Sequence, residues 1–200
     1  MESKLILIFA GAVSLLAAKA AGQFDVTPQP GTYLGEGTPF PCIRFRDGSS
    51  VVRFMPPTEW RFTAQDNRCV FHPVGIAQAA GSITVRAVNP DQPSAVDRMA
   101  ALLQAEIPDE ATNISPIAID LPQVKFDRWR SIHHQVEYEH FGQKFRVALI
   151  VVPLQVEELH IRFGARAADF ARVFPALFES LGTFTWDPPE EAENKPAARN

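Results

Sequence analysis

The chain has 200 residues, of which 46% are hydrophobic and 21% charged, and its formal net charge is −4 at pH 7. These values are typical of a soluble globular protein and exclude a largely disordered chain. The length fits one domain, large enough to bury a core without a metal or a dense set of disulfides. The negative net charge argues against a general binder of nucleic acid or other polyanions.

The first 22 residues have the pattern of a secretory signal peptide. An uncharged apolar run of 14 residues, 5–18, follows Lys4 and precedes small residues that allow cleavage after Ala20 or Gly22. The run is shorter than the roughly 20 apolar residues that a membrane-spanning helix needs. We therefore expect a secreted or periplasmic protein without a membrane span, from which residues 1–22 are removed.

Composition divides the rest of the chain into three parts. Residues 23–40 contain many prolines and glycines and show no hydrophobic period, which predicts a linker or an extended strap. Residues 187–200 are acidic and proline-rich, which predicts a disordered tail. Between them, residues 41–186 are predicted to form a single α+β domain.

The chain has two cysteines, Cys42 and Cys69. An oxidising compartment favours a disulfide between them, and two separately buried thiols are the alternative.

The first half of the domain is predicted to be mostly strands. Segments 42–45 and 51–54 flank Asp47-Gly48, which is typical of a tight hairpin turn. Shorter strands are predicted at 60–63, 69–72 and 83–88, and Thr84 and Arg86 occupy the polar face of the last one.

A helix is predicted to begin after Ser94, which can cap it together with Asp97, and to end before Pro108. Its expected core face is an apolar stripe of Val96, Met99, Ala100, Leu103 and Ile107.

The second half shows the clearest strand pattern, a three-stranded meander at 132–141, 145–152 and 158–163, preceded by a weaker strand at 114–121. The middle strand is apolar on both faces and should be central. A helix over 167–181 should kink or restart at Pro175, and a short aromatic strand, 183–186, should follow it.

This order of elements resembles the PsbP-like fold. The resemblance rests on the entry Pro56-Pro57-Thr58-Glu59-Trp60, on a strand with Leu159, Ile161 and Phe163 before a Phe-rich helix, and on the final Phe184-Thr185-Trp186. It implies a mainly antiparallel β-sheet with helices packed on it, an α/β/α sandwich. Members include extrinsic photosystem subunits, a Ran-binding protein and many exported bacterial proteins. The resemblance implies non-catalytic accessory binding and carries no functional residue over to this chain.

No motif commits the chain to catalysis or to a cofactor. His134 and His140 share a strand face but lie about 20 Å apart at ~3.3 Å per residue, too far to ligate one metal, so we expect no metal site and no cofactor. There is no Gly-x-Ser-x-Gly sequence for a nucleophile.

One stretch combines basic and aromatic residues and is the predicted binding site. Arg128, Trp129 and Arg130 precede His134, and arginines beside a tryptophan suit an anionic group or a partner's surface. The alternative is that Trp129 belongs to the core and the arginines are solvated.

These observations favour a secreted or periplasmic, monomeric binding or accessory protein, with an unknown protein or a small anionic ligand as its partner. Two alternatives remain open: an exported hydrolase-type enzyme, which needs ionisable groups converging in a cleft, and a docking subunit of an envelope assembly.

Overall fold

The computed structural model of the chain describes residues 24–117 and 124–187. The predicted signal peptide, the end of the weak strand at 114–121 and tail residues 188–200 lie outside the described residues. In chain order the elements are β1 (Phe24–Gly35), β2 (Thr38–Asp47), β3 (Ser50–Phe54), β4 (Trp60–Gln65), β5 (Arg68–Pro73), β6 (Ala80–Ala87), α1 (Ala95–Gln104), β7 (Thr112–Ile117), β8 (Lys125–Phe126), β9 (Trp129–Arg130), β10 (Ile132–His140), β11 (Gln143–Pro153), β12 (Glu157–Arg166), α2 (Ala167–Leu181) and β13 (Thr185–Asp187).

The central layer is a seven-stranded antiparallel sheet in the order β4-β5-β6-β12-β11-β10-β7. The meander predicted from the sequence is β10-β11-β12, and β11 is its middle strand. Residues on both faces of β11 are buried, because Val147 and Leu149 point to one side of the sheet and Ala148 and Ile150 to the other. The prediction that this strand is central is confirmed.

Helix α1 covers part of one face of this sheet. Ser94 caps it as predicted, its side chain accepting a hydrogen bond from the backbone N–H of Asp97. Its buried stripe is Ala95, Met99 and Leu103, which packs on β10 and β11. The predicted core positions Val96 and Ala100 were wrong: both are exposed, because the helix turns the neighbouring stripe toward the sheet.

The opposite face is covered by α2 together with a second, four-stranded sheet in the order β1-β2-β3-β13. Helix α2 runs without a break from Ala167 to Leu181, so no restart occurs at Pro175. Its phenylalanines Phe170 and Phe174 share one core with Phe54 and Phe184 of the second sheet region. The fold is therefore β-rich, with helix on one side and helix plus sheet on the other, instead of the predicted simple α/β/α sandwich.

The predicted linker at 23–40 was wrong for its described part. Residues 24–35 form β1, and residues 38–40 begin β2. The prolines are tolerated because β1 is an edge strand, and residues 38–41 of β2 pair with β1 only. Glu36 and Gly37 adopt positive φ angles of 50° and 82° at the turn between the two strands. Residues 24–40 therefore belong to the first two strands of the four-stranded sheet and to the turn between them, instead of a linker.

The predicted disulfide is not formed in the structure. Cys42 and Cys69 are both free and buried, Cys42 on β2 of the four-stranded sheet and Cys69 on β5 of the seven-stranded sheet. Burial raises the pKa of the Cys69 thiol to about 12, so it stays protonated. The alternative of two separately buried thiols describes the structure.

Among the described residues, no helix is long and apolar enough to cross a membrane.

Candidate functional site

The face of the large sheet that carries α1 is only partly covered by it. The helix packs over β10 and β11 and reaches Glu158 of β12 through Arg98, whereas β5 and β6 carry exposed and half-buried side chains on this face. A cavity of about 490 Å³ lies on this part of the face. We call it the arginine groove, and its polar lining includes Arg68, Ser82, Thr84, Arg86, Glu106, His160 and Arg162.

Strand register brings these side chains together. Thr84 on β6 lies opposite Arg68 on β5 and opposite His160 on β12, so the three form one row across the sheet. Ser82 and Arg162 are opposite each other in the adjacent row on the same face. Directly opposed residues in antiparallel strands have Cβ atoms about 5 Å apart, and their side chains therefore share the groove.

A buried hydrogen-bonded chain lies beside the groove. Arg98 of α1 donates from Nη2 to Oε1 of Glu158 at 2.5 Å, and Nε2 of His160 lies 3.0 Å from Oε2 of the same carboxylate. Glu158 and His160 are only 4% and 3% exposed. The two oxygens of one carboxylate thus join the helix to the floor of the groove.

The ionisation states of this pair follow from its surroundings. Burial raises the pKa of Glu158, but the hydrogen bonds from Arg98 and His160 outweigh it, and the net pKa is below the usual value. Burial is the largest influence on His160 and lowers its pKa, although Glu158 acts in the opposite direction. At neutral pH the pair is therefore an ionised Glu158 and a neutral His160.

The charges of the groove do not cancel. Arg98 is paired with Glu158, and Arg162 is paired with Glu106 through a contact of 2.8 Å from Nε to Oε2. The side chains of Arg68 and Arg86 are exposed and make no hydrogen bond or ion pair with any residue that the structure describes. Two guanidinium groups of the groove therefore have no ion-pair partner among the described residues, although Arg86 is opposite Glu158 in the strand register and its charge helps to lower the pKa of His160.

The predicted binding residues Arg128, Trp129 and Arg130 lie away from the groove. They belong to the hairpin of β8 and β9, where Trp129 is half-buried against the larger core, and Arg128 and Arg130 are exposed. The guanidinium of Arg128 lies 5.0 Å from the centre of the Trp129 ring. The indole Nε1 is buried and has no hydrogen-bond partner among the described residues. The binding role of this hairpin stays a prediction.

The fourth predicted residue, His134, lies on the same sheet face as the groove but outside its lining. It is exposed on β10 and opposite Leu149, which in turn is opposite Arg162. The structure therefore separates His134 from the other three predicted residues.

Sequence reasoning missed Arg68, Glu158 and His160 as site residues. One pattern in the sequence pointed to two of them. Polar residues at 158, 160 and 162 alternate with apolar residues at 159, 161 and 163, which predicts that the polar side chains share one face of the strand. Nothing in the sequence gives the strand order that places β5 and β6 beside β12. No group of three histidine, cysteine or acidic side chains that could hold a metal occurs in residues 24–117 and 124–187.

No protein-family model matches the chain, and no curated protein matches it. Among solved structures, the chain is similar to LpqN, a protein involved in cell envelope biogenesis of Mycobacterium tuberculosis, with a TM-score of 0.50 and 16% identity. That match covers 80% of this chain and 92% of LpqN. At this identity the likeness shows a common fold and nothing about activity.

Two further solved structures match with lower TM-scores. A cyanobacterial PsbP from Synechocystis sp. PCC 6803 has a TM-score of 0.40 and 12% identity, over 82% of this chain and 93% of that one. A putative regulator of unknown function from Pseudomonas aeruginosa, PA94, has a TM-score of 0.41 and 13% identity, over 80% and 99% of the two chains. The first belongs to the group that the sequence itself resembles.

Proposed function

We propose that the chain is an exported, non-catalytic accessory protein that binds a small anionic ligand in the arginine groove. The observation that carries this proposal is that the guanidinium groups of Arg68 and Arg86 lie in a groove lined by His160 and have no ion-pair partner in residues 24–117 and 124–187. Arginine forms two parallel hydrogen bonds with a carboxylate or a phosphate, and such charge-assisted bonds are about twice as strong as neutral ones.

Export is supported by the signal-peptide pattern of residues 1–22. The similar structure LpqN is described as involved in cell envelope biogenesis, and an envelope-related accessory role for this chain agrees with an exported protein. The mass of the protein recovered from outside the cytoplasm should correspond to a start at Ala21 or Gln23. Recovery of exported protein that still carries Met1 would contradict export by a cleaved signal.

Anion binding can be tested by titrating the protein with sodium sulfate and following the amide resonances by NMR. We expect a double variant, Arg68→Gln with Arg86→Gln, to bind sulfate at least about tenfold more weakly, because two charge-assisted contacts are lost. The matched control is Arg46→Gln with Arg61→Gln, which removes two exposed strand arginines outside the groove. Equal affinity in the two double variants would refute the site.

A second candidate function, an exported hydrolase-type enzyme, has one observation in its favour. A neutral histidine hydrogen-bonded to a buried carboxylate is the arrangement of a general base, and His160 and Glu158 provide it. The hydroxyls of Ser82 and Thr84 line the same groove, but neither hydrogen-bonds to His160 in the structure. Hydrolysis of p-nitrophenyl esters by the wild type, lost in His160→Phe, would favour this candidate over binding alone.

A further inference from the structure

The imidazole of His160 has one nitrogen without a partner. Its Nε2 forms a hydrogen bond with Glu158, whereas its Nδ1 makes no hydrogen bond to any residue that the structure describes. The residue is 3% exposed and lines the arginine groove. Its Nδ1 is not among the fully buried side-chain atoms that lack a partner, so the atom keeps a small contact with solvent.

The protonation of the two nitrogens follows from the carboxylate. An ionised carboxylate can only accept hydrogen bonds, so the proton of the neutral imidazole is assigned to Nε2, which donates it to Glu158. The other nitrogen, Nδ1, then carries a lone pair and no proton. It can accept a hydrogen bond but cannot donate one to an anion.

A ligand that pairs with both the arginines and Nδ1 of His160 must therefore carry two kinds of group. Arg68 and Arg86 require an anion, and His160 requires a hydrogen-bond donor such as a hydroxyl. Arg68 and His160 both lie opposite Thr84, one strand to either side, so their backbone positions are about 10 Å apart. Arg86 lies two residues along β6 from Thr84, diagonal to both of them. The cavity of about 490 Å³ is larger than a single inorganic anion needs and has room for a hexose with a charged substituent. The hydroxyls of Ser82 and Thr84 line the same cavity.

We propose that the ligand of the arginine groove is a hydroxylated anion of the sugar acid or sugar phosphate class, whose charged group binds Arg68 and Arg86 and whose hydroxyl donates to Nδ1 of His160. This inference rests on the proposed function, because it assumes that the groove binds an anion. The chemistry common to sugar acids and sugar phosphates is a negative charge together with hydroxyl donors.

Calorimetric titration of the mature protein with matched probes tests the inference. D-glucuronate and cyclohexanecarboxylate have a similar ring and the same charge but differ in their hydroxyls, and we expect glucuronate to bind at least about tenfold more tightly. Glucose 6-phosphate distinguishes the two classes of ligand. Tighter binding than glucuronate indicates a sugar phosphate, and weaker binding indicates a sugar acid. D-glucose, which lacks the charge, should not bind measurably. Equal affinity for glucuronate and cyclohexanecarboxylate would overturn the inference while leaving the proposed function intact, whereas no binding of either, or of sulfate, would overturn both.

A variant adds a second measurement. His160→Phe should lower the affinity for glucuronate at least about tenfold and bring the ratio of glucuronate to cyclohexanecarboxylate affinity close to one. The matched control is His72→Phe, because His72 lies on β5 but lines a different cavity. If His160→Phe fails to fold, the comparison of the two probes on the wild type still decides the inference. Glucuronate binding that is unaffected in a folded His160→Phe protein would contradict the role of Nδ1.

Discussion

The guanidinium of Arg98, on α1, lies 2.5 Å from the carboxylate of Glu158, on β12, and this ion pair joins the helix to the strand that forms the floor of the groove. The Glu158 side chain is 5% exposed and that of Arg98 is 20% exposed, so the pair is largely shielded from solvent. Removal of one partner from such a pair leaves an uncompensated buried charge.

The variant Arg98→Ala should therefore be strongly destabilised, by about 3 kcal/mol. Urea denaturation followed by circular dichroism measures this change. The control is Arg172→Ala, which breaks an exposed pair with Asp169 and should cost less than about 0.5 kcal/mol. A loss of similar size in the two variants would show that the Arg98 pair contributes no more than an ordinary surface ion pair.

His133 makes the stability of the protein depend on pH. Burial, followed by the nearby charge of His134, lowers the pKa of His133 to about 4, and its ring lies 4.9 Å from that of Phe178. Below the unfolded-state pKa of about 6.5 the unfolded chain binds a proton at this residue and the folded chain does not, until the pH reaches the folded pKa. Stability should therefore fall as the pH is lowered from about 6.5 to about 4.

Denaturation curves of the wild type and of His133→Phe across this pH range measure the contribution of His133. The variant should lose less stability between neutral pH and pH 4 than the wild type, and His72→Phe serves as a control. Part of the slope should remain, because the pKa of His160 is also lowered by burial. Identical slopes for the wild type and His133→Phe would contradict the lowered pKa.

The two cysteines should be present as thiols that react only after unfolding. Both are buried, and the raised pKa of Cys69 leaves almost no thiolate at neutral pH. Mass spectrometry after maleimide treatment should show no modification of the native protein and two modifications of the denatured protein. Denatured protein that takes up maleimide only after reduction would show that the two cysteines form a disulfide and would contradict this prediction.

Trp129 should matter for stability, because its ring packs against the larger core. Trp129→Ala should lower the free energy of unfolding by about 3 kcal/mol. Replacement of the exposed Arg128 and Arg130 by alanine should change it by less than about 0.5 kcal/mol. If the hairpin is instead a binding site, the arginine variant will weaken binding of a ligand or partner without changing stability, and this outcome would support the prediction made from the sequence.

Local patterns predict most of the fold. Alternation of apolar residues is enough to predict β10, β11 and β12, and a capping serine is enough to predict where α1 begins. Residues 24–40 were not predicted as strands because their prolines disrupt the pattern, and edge pairing tolerates prolines for a reason that only the sheet order reveals.

The candidate site was less predictable. Arg68, Thr84 and His160 come from three strands that are distant along the chain, and their meeting depends on strand order and register. The basic and aromatic stretch, 125–130, is predicted as a binding site because its residues are adjacent in sequence. Adjacency in sequence does not show which cavity a residue lines.

We expect the anion to bind in the arginine groove and not at the β8–β9 hairpin. A titration of isotope-labelled protein with glucuronate, with the shifted amide resonances assigned to residues, distinguishes the two surfaces. Binding in the groove should give saturable shifts concentrated at Arg68, Thr84, Arg86 and His160, with little change in the β8–β9 hairpin. Shifts centred on Arg128, Trp129 and Arg130, with none in β5, β6 and β12, would contradict it.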